Sequence, residues 1–319
     1  MQNNPFLIDI EDKEEYSIEE YKDIQKKVSE KNIDDILNNY YPPVDKSYKY
    51  DDFKHRCTNG FRQKIIDMDT NRLPEKKLYT IGNGGNHKNC FVCCTSFAHA
   101  YTDPTKSDSR YNASQNIVKS LEEVGFNGHV YIFYGGFPNP TGTEMKYIGV
   151  PYCFKIFMML EAKKLGFKNV IWIDSSCYAI NNPEELFDTL ELEYTLCFTY
   201  PSGNNYNGMS FKQTIDLLNS ITNANLHDAS YIMTIVFGLN LDSEIIMKMI
   251  DDYYDMVKLG LPFLSIFPEE IVLSSIFNKP EYRHLLPTRY INERLQIHEH
   301  RIDIDSARHN GYFFYHRKY

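Results

Sequence analysis

No stretch of about 18 consecutive apolar residues occurs in this chain, so no membrane-spanning helix is expected. Positive charge is also in short supply. Lys and Arg number 34 against 43 Asp and Glu, a formal net charge of −9. That balance argues against a nucleic-acid binder, which needs a broad basic face, although a local basic pocket for a few phosphates remains compatible with it. The polar amino terminus lacks an apolar h-region, and we expect no secretory leader and a cytoplasmic protein. Zinc-finger spacing is missing too. Among seven cysteines, Cys90 and Cys93 form a C-x-x-C, but no second Cys or His pair stands at the required distance. The surrounding FVCCTSF reads as a strand that sends the two thiols to opposite faces, so reduced, buried cysteines are expected. Asn83-Gly84-Gly85-Asn86 lacks the Gly-Lys-Ser/Thr ending of a phosphate-binding loop and reads as a turn. No repeat or low-complexity tract is present. Trp172 is the single tryptophan beside 25 tyrosines; tyrosine suits contacts with bases and sugar rings, but a bias toward AT-rich codons would enrich it equally and is the reading we favour.

What is present is ordinary globular material: 319 residues, 42% hydrophobic and 24% charged. This is enough for one large α/β domain with appendages or for two modest domains. Residues 1–75 interleave acidic and basic side chains with Ile and Tyr at helical spacing, which predicts one or two surface helices ending before Pro42-Pro43. We read 1–75 as a helical N-terminal appendage and 76–319 as the main domain. From Cys90 a βα rhythm begins. CFVCCTSF, His129–Gly135 and NVIWID are strands. The segments 112–124 and 152–165 are helices, with Ile117, Val118, Leu121 and Val124 forming the apolar face of the first. YTLCFTY and YIMTIVFGL are further strands, and DSEIIMKMIDDYYDMVKLG is a helix closed by Gly260. Strands alternating with helices of this length predict an α/β fold, a mostly parallel sheet with helices on both faces.

The segment NVIWIDSSCYAINNPEELF carries the strongest signal. A buried apolar run ends at Asp174, Ser175 and Ser176, and Asn181-Asn182-Pro183 then leads into a helix with Glu184 and Glu185 in its first turn. A carboxylate at the carboxyl end of a buried strand is where open α/β sheets place ligand chemistry, although Asp and Ser also favour plain turns.

The order of features over roughly residues 88–316 resembles a GT-A fold glycosyltransferase, the Rossmann-like class that uses nucleotide sugars. Four pieces carry the resemblance. They are the helix opening Tyr111-Asn112-Ala113-Ser114 and containing Ser120-Leu121; Pro151-Tyr152-Cys153-Phe154-Lys155 leading a helix; Asp174-Ser175-Ser176 in place of an Asp-X-Asp segment; and VFGLN (236–240) followed by PEEIVLSSIF (268–277). The last pair is similar to a glycine-containing acceptor-side loop and to acidic residues at the head of a helix below the sugar.

The resemblance implies transfer of a hexose from a nucleoside diphosphate sugar, UDP-linked most often, to a hydroxyl on a glycan or protein acceptor. It implies Asp174, Glu270 and Glu269 as catalytic candidates, with inverting chemistry favoured because a carboxylate is available as base. Tyr101, Asp103, Lys155, Asp174, Ser176 and Arg317 become donor-binding candidates. A divalent cation, Mn²⁺ or Mg²⁺, would be held by Asp174, Ser176 and His316. Here the sequence departs from the pattern, because Ser176 stands where the usual second carboxylate would be. A hydroxyl is the weaker ligand for a hard cation, so the metal is expected to be weakly held or dispensable, with basic residues such as Arg317 and Lys318 taking its part. Lys155 could equally snorkel at the edge of an apolar helix. His298 and His300 read as surface or strand-pairing residues. Two rivals remain: a degenerate GT-A domain that binds a glycan or partner, and a sugar-nucleotide nucleotidyltransferase. The second needs a glycine-rich basic loop after the first strand, which CTSFAHAYTDPTK does not provide.

Overall fold

A computed structural model describes residues 4–11, 13, 15–31, 33–41, 75–95, 110–134, 145–200, 210–226, 229–287 and 290–317. Nine strands are present among them: β1 (Glu75–Ile81), β2 (Asn89–Thr95), β3 (Gly128–Tyr134), β4 (Asn169–Ile173), β5 (Cys177–Ala179), β6 (Thr195–Tyr200), β7 (Tyr231–Asn240), β8 (Gln296–His298) and β9 (Phe314–His316). The α-helices are α1 (Ile18–Ser29), α2 (Ile33–Leu37), α3 (Arg110–Glu123), α4 (Phe154–Lys164), α5 (Glu184–Glu193), α6 (Lys212–Thr222), α7 (Glu244–Leu259), α8 (Pro268–Phe277) and α9 (Ile304–His309).

Six strands form the main sheet in the order β1-β3-β2-β4-β7-β6. β3, β2 and β4 pair in parallel, whereas β1 and β7 run against their neighbours. β6 opposes β7, so β6 points the same way as β2, β3 and β4. The α/β class expected from the alternation is what the chain adopts, with β2, β3, β4 and β6 running the same way and β1 and β7 antiparallel in an otherwise parallel sheet. The antiparallel β1 was not anticipated, because EKKLYTI is mostly exposed at the sheet edge and carries no apolar run.

Alternation along the strands divides the core into two layers. Cys90, Val92, Val170 and Trp172 face α4, α6, α7 and α8, while Phe91, Cys93, Ile171 and Ile173 face α3 and α5. Cys90 and Cys93 thus lie on opposite faces, and the six described cysteines are all free. The glycine of VFGLN does not sit in a loop. Gly238 lies within β7, opposite both Ile171 and Leu196. A Cβ there would meet Leu190 of α5 at 2.9 Å and Ile171 at 3.0 Å, so the glycine lets α5 seat directly on the sheet. At the other end of α7, Gly260 takes the positive φ of +73° that closes the helix.

The described part of 1–75 is anchored rather than loosely attached. Helix α1 opens with a capping box between Ser17 and Glu20 and buries Tyr21, Ile24 and Val28. Phe6 and Leu37 are fully buried in the α4–α7–α8 core layer, and the Asn4 side chain donates to Val257 O at 3.0 Å. A smaller sheet, β5-β9-β8, joins the segment after β4 to the last described residues.

Candidate active site

Strand β4 is buried throughout and apolar from Val170 to Ile173 because helices cover both faces of the sheet, and it stops at Asp174. The Asp174 amide still donates to Ile235 O of β7 at 2.9 Å, and a turn closes as Cys177 N–H donates to Asp174 O at 3.0 Å. Trp172 lies two residues back, on the same side of an extended chain. Its indole N–H donates to Asp174 Oδ1 at 2.7 Å.

Lys155, in the first turn of α4, reaches the same oxygen. Its Nζ lies 3.0 Å from Asp174 Oδ1, 2.9 Å from Glu269 Oε1, 2.9 Å from Thr234 O and 3.3 Å from Thr234 Oγ1. The side chain is 5% exposed, so it does not snorkel to solvent; Asp174, at 30%, is the outward-facing member of the pair. An ammonium has three protons, and these oxygens take them all. Lys155 therefore acts on Asp174 rather than presenting an open charge to a phosphate. Burial alone would lower its pKa, but the Asp174 and Glu269 carboxylates outweigh that and hold it above the ordinary lysine value.

Glu269 and Glu270 occupy the first turn of α8, a ten-residue helix buried along its whole length. Glu269 Oε1 accepts from Thr234 Oγ1 at 3.1 Å as well as from Lys155, while its Oε2 is buried with no hydrogen-bond partner among the described residues. Glu270 accepts from the Thr234 amide at 3.2 Å and from the Tyr231 hydroxyl. Desolvation, reinforced by the neighbouring Glu269 carboxylate, pushes Glu270 up to about 7 despite the donated hydrogen bonds. Near neutral pH it is poised to exchange a proton.

A second group of candidates meets Asp174 through the small sheet. Antiparallel pairing sets Cys177 opposite His316, and the Arg317 amide donates to Ser176 O at 3.1 Å. His316 is buried, with its Nδ1 2.7 Å from His298 Nδ1. This pairing makes His298 a neighbour of the site. Arg317 is exposed, its guanidinium 5.0 Å from the centre of the Tyr178 ring. The chain thus gathers Lys155, Asp174, Glu269 and Glu270 in one cluster and brings Ser176, His316 and Arg317 alongside it. Tyr101 and Asp103 lie outside the described residues. Sequence reasoning passed over Trp172, Thr234 and Tyr231. Trp172 carried a usable signal, its two-residue spacing from Asp174. Thr234 stands 79 residues from Lys155, and no local pattern links them.

A resident divalent cation fits this donor set poorly. Asp174 Oδ1 is already bonded to an ammonium and an indole N–H, position 176 offers a hydroxyl, and His316 Nδ1 faces another imidazole. Among the described residues no group of three His, Cys, Asp or Glu side chains is placed to hold a metal ion.

No protein-family model and no curated protein matches the chain. Among solved structures, it is similar to the apo form of mouse xyloside xylosyltransferase 1, at 10% sequence identity and a TM-score of 0.37, over 82% of this chain and 92% of that one. The likeness is loose. No described helix is long and apolar enough to cross a membrane.

Proposed function

We propose that this protein is a glycosyltransferase that moves a hexose from a nucleoside diphosphate sugar, UDP-linked, to a hydroxyl of a glycan or protein acceptor. The observation that carries the reading is a partly exposed carboxylate, Asp174, at the carboxyl end of central strand β4, backed by the buried Glu269–Glu270 pair. Open α/β sheets bind ligands at such strand ends.

In this reading Asp174 receives a hydroxyl of the donor ribose or sugar, and Lys155 fixes its orientation. The anomeric C–O bond to the diphosphate breaks as the acceptor oxygen bonds to the anomeric carbon. Glu270, close to 7, takes the acceptor proton, which makes inversion the expected outcome. Arg317, with His316 beside it, faces the negative charge that gathers on the departing diphosphate.

Calorimetric titration with UDP and a panel of UDP-hexoses, followed by assays of donor hydrolysis, tests the proposal. We expect binding and slow hydrolysis of at least one donor. Asp174→Asn, which keeps an acceptor for Lys155 and Trp172, should abolish hydrolysis with little change in melting temperature. Wild-type turnover in that variant would remove Asp174 from the chemistry. Donor binding without any turnover by the wild type would favour the binding-protein reading.

A further inference from the structure

The surroundings of Lys155 Nζ have the composition of a hard-cation site. Two carboxylate oxygens, one backbone carbonyl and one hydroxyl, from Asp174, Glu269 and Thr234, converge on one point at 2.9 to 3.3 Å. Oxygen cages of this kind hold Ca²⁺ at about 2.3–2.6 Å, so a contraction of roughly 0.5 Å would convert the cage from one cation to the other. The point is deeply buried, and Glu269 and Thr234 are as secluded as the ammonium itself.

We propose that Lys155 is the built-in cation of this cage, a covalently tethered ammonium that fills the place of a divalent metal and closes the acidic cluster to one. The charges support the assignment. One ammonium serves both the Asp174 and the Glu269 carboxylate and neutralises one of their two charges, and Trp172 donates a further hydrogen bond to the shared Asp174 oxygen. A divalent ion bound to Asp174 Oδ1 at about 2.2 Å would stand no more than roughly 5 Å from Nζ, where two like-signed cations in a secluded site repel strongly. The Ser176 hydroxyl offers no compensating charge. This inference concerns the cage alone and holds whether or not the protein transfers sugars.

The test uses manganese as the probe. Full-length wild type, Asp174→Asn and Lys155→Ala are titrated with MnCl2, following the electron paramagnetic resonance signal of the free ion, and their melting temperatures are recorded with MnCl2 and with EDTA. The wild type should bind no Mn²⁺ at Asp174 below about 1 mM, and EDTA should leave its melting temperature unchanged. Lys155→Ala empties the cage of its cation and should bind Mn²⁺ at least tenfold more tightly, on the order of a hundredfold for one like charge removed at this distance. Its melting temperature should rise with MnCl2. Should Lys155→Ala fail to fold in EDTA, refolding in MnCl2 gives the same readout. Micromolar binding by the wild type that Asp174→Asn abolishes would overturn the proposal. So would a Lys155→Ala variant that MnCl2 neither binds nor stabilises. A titration with UDP in EDTA runs in parallel. If UDP does not bind, the transfer reading suffers while the cage assignment stands on the manganese data.

Discussion

Replacing Glu270 by Gln isolates the electrostatic cost of the buried acid pair. Gln preserves shape and hydrogen bonding: its Oε1 can accept from the Thr234 amide, and its Nε2 can donate to the Tyr231 hydroxyl, which then turns from donor to acceptor. Apart from that reversal, which does not depend on pH, only the ability to ionise is lost. In the folded protein Glu270 holds its proton up to about 7 instead of the ordinary 4.5, because of desolvation and then Glu269. A carboxyl with a raised folded-state pKa binds protons better in the native than in the unfolded chain. Its contribution is therefore fully present below 4.5 and is lost as pH rises to about 7. At about 1.4 kcal/mol per pH unit, the loss across that window is about 3 kcal/mol. Urea denaturation of wild type and variant in parallel from pH 4.5 to 8 reads the difference directly, because groups the substitution does not disturb cancel. We expect the variant to gain on the wild type as pH rises, by about 3 kcal/mol in total, with the change centred between 4.5 and 7 and flat above about 8. A stability difference that does not vary with pH would mean that Glu270 titrates normally, and its assignment as a base poised near neutrality would fall with it.

Substitutions at two other positions test the seating of the amino-terminal segment and the contact expected with the diphosphate. Phe6→Ala removes a fully buried ring from the core layer beneath α7 and should cost about 3–5 kcal/mol in equilibrium denaturation; a loss below 1 kcal/mol would make the N-terminal segment a dispensable appendage after all. Arg317→Ala should weaken UDP binding about tenfold, or about 1.4 kcal/mol, with Arg317→Lys intermediate and the melting temperature of both unchanged; unaltered UDP affinity by calorimetry would place the diphosphate elsewhere.

The α/β class was legible in the sequence because helix and strand periods alternate cleanly from Cys90 onward. The helix closed by Gly260 and the strand ending at Asp174 fall where the sequence puts them, since each is bounded by a strong local signal: a glycine that tolerates positive φ, and an apolar run meeting a carboxylate. Gly238 falls inside the strand that the pattern YIMTIVFGL predicts, whereas the family resemblance implied a loop there; a glycine in an apolar segment marks either a loop or a close approach, and the position of Leu190 on the neighbouring helix shows it to be the second. The head of α8 was legible for a related reason. Two glutamates followed by an apolar helical run mark a helix amino terminus, but their burial was not legible, since Glu184 and Glu185 open another helix and are exposed. Which partners Glu269 and Glu270 find depends on tertiary contacts, 35 to 39 residues away along the chain for Thr234 and Tyr231 and farther still for Lys155, and no spacing rule reaches so far.

The bond from Asn4 to Val257 spans 253 residues, and it has a kinetic consequence. Contacts between such distant positions form only after the intervening chain has condensed, because closing a longer loop costs more entropy. The Asn4–Phe6 strap is therefore expected to dock after the rate-limiting step of folding, on a sheet and helices already in place. Contacts made that late scarcely affect how fast the chain folds, but they must break before it can unfold. The strap works as a latch on the native state, so Phe6→Ala should accelerate unfolding while leaving the refolding rate nearly unchanged.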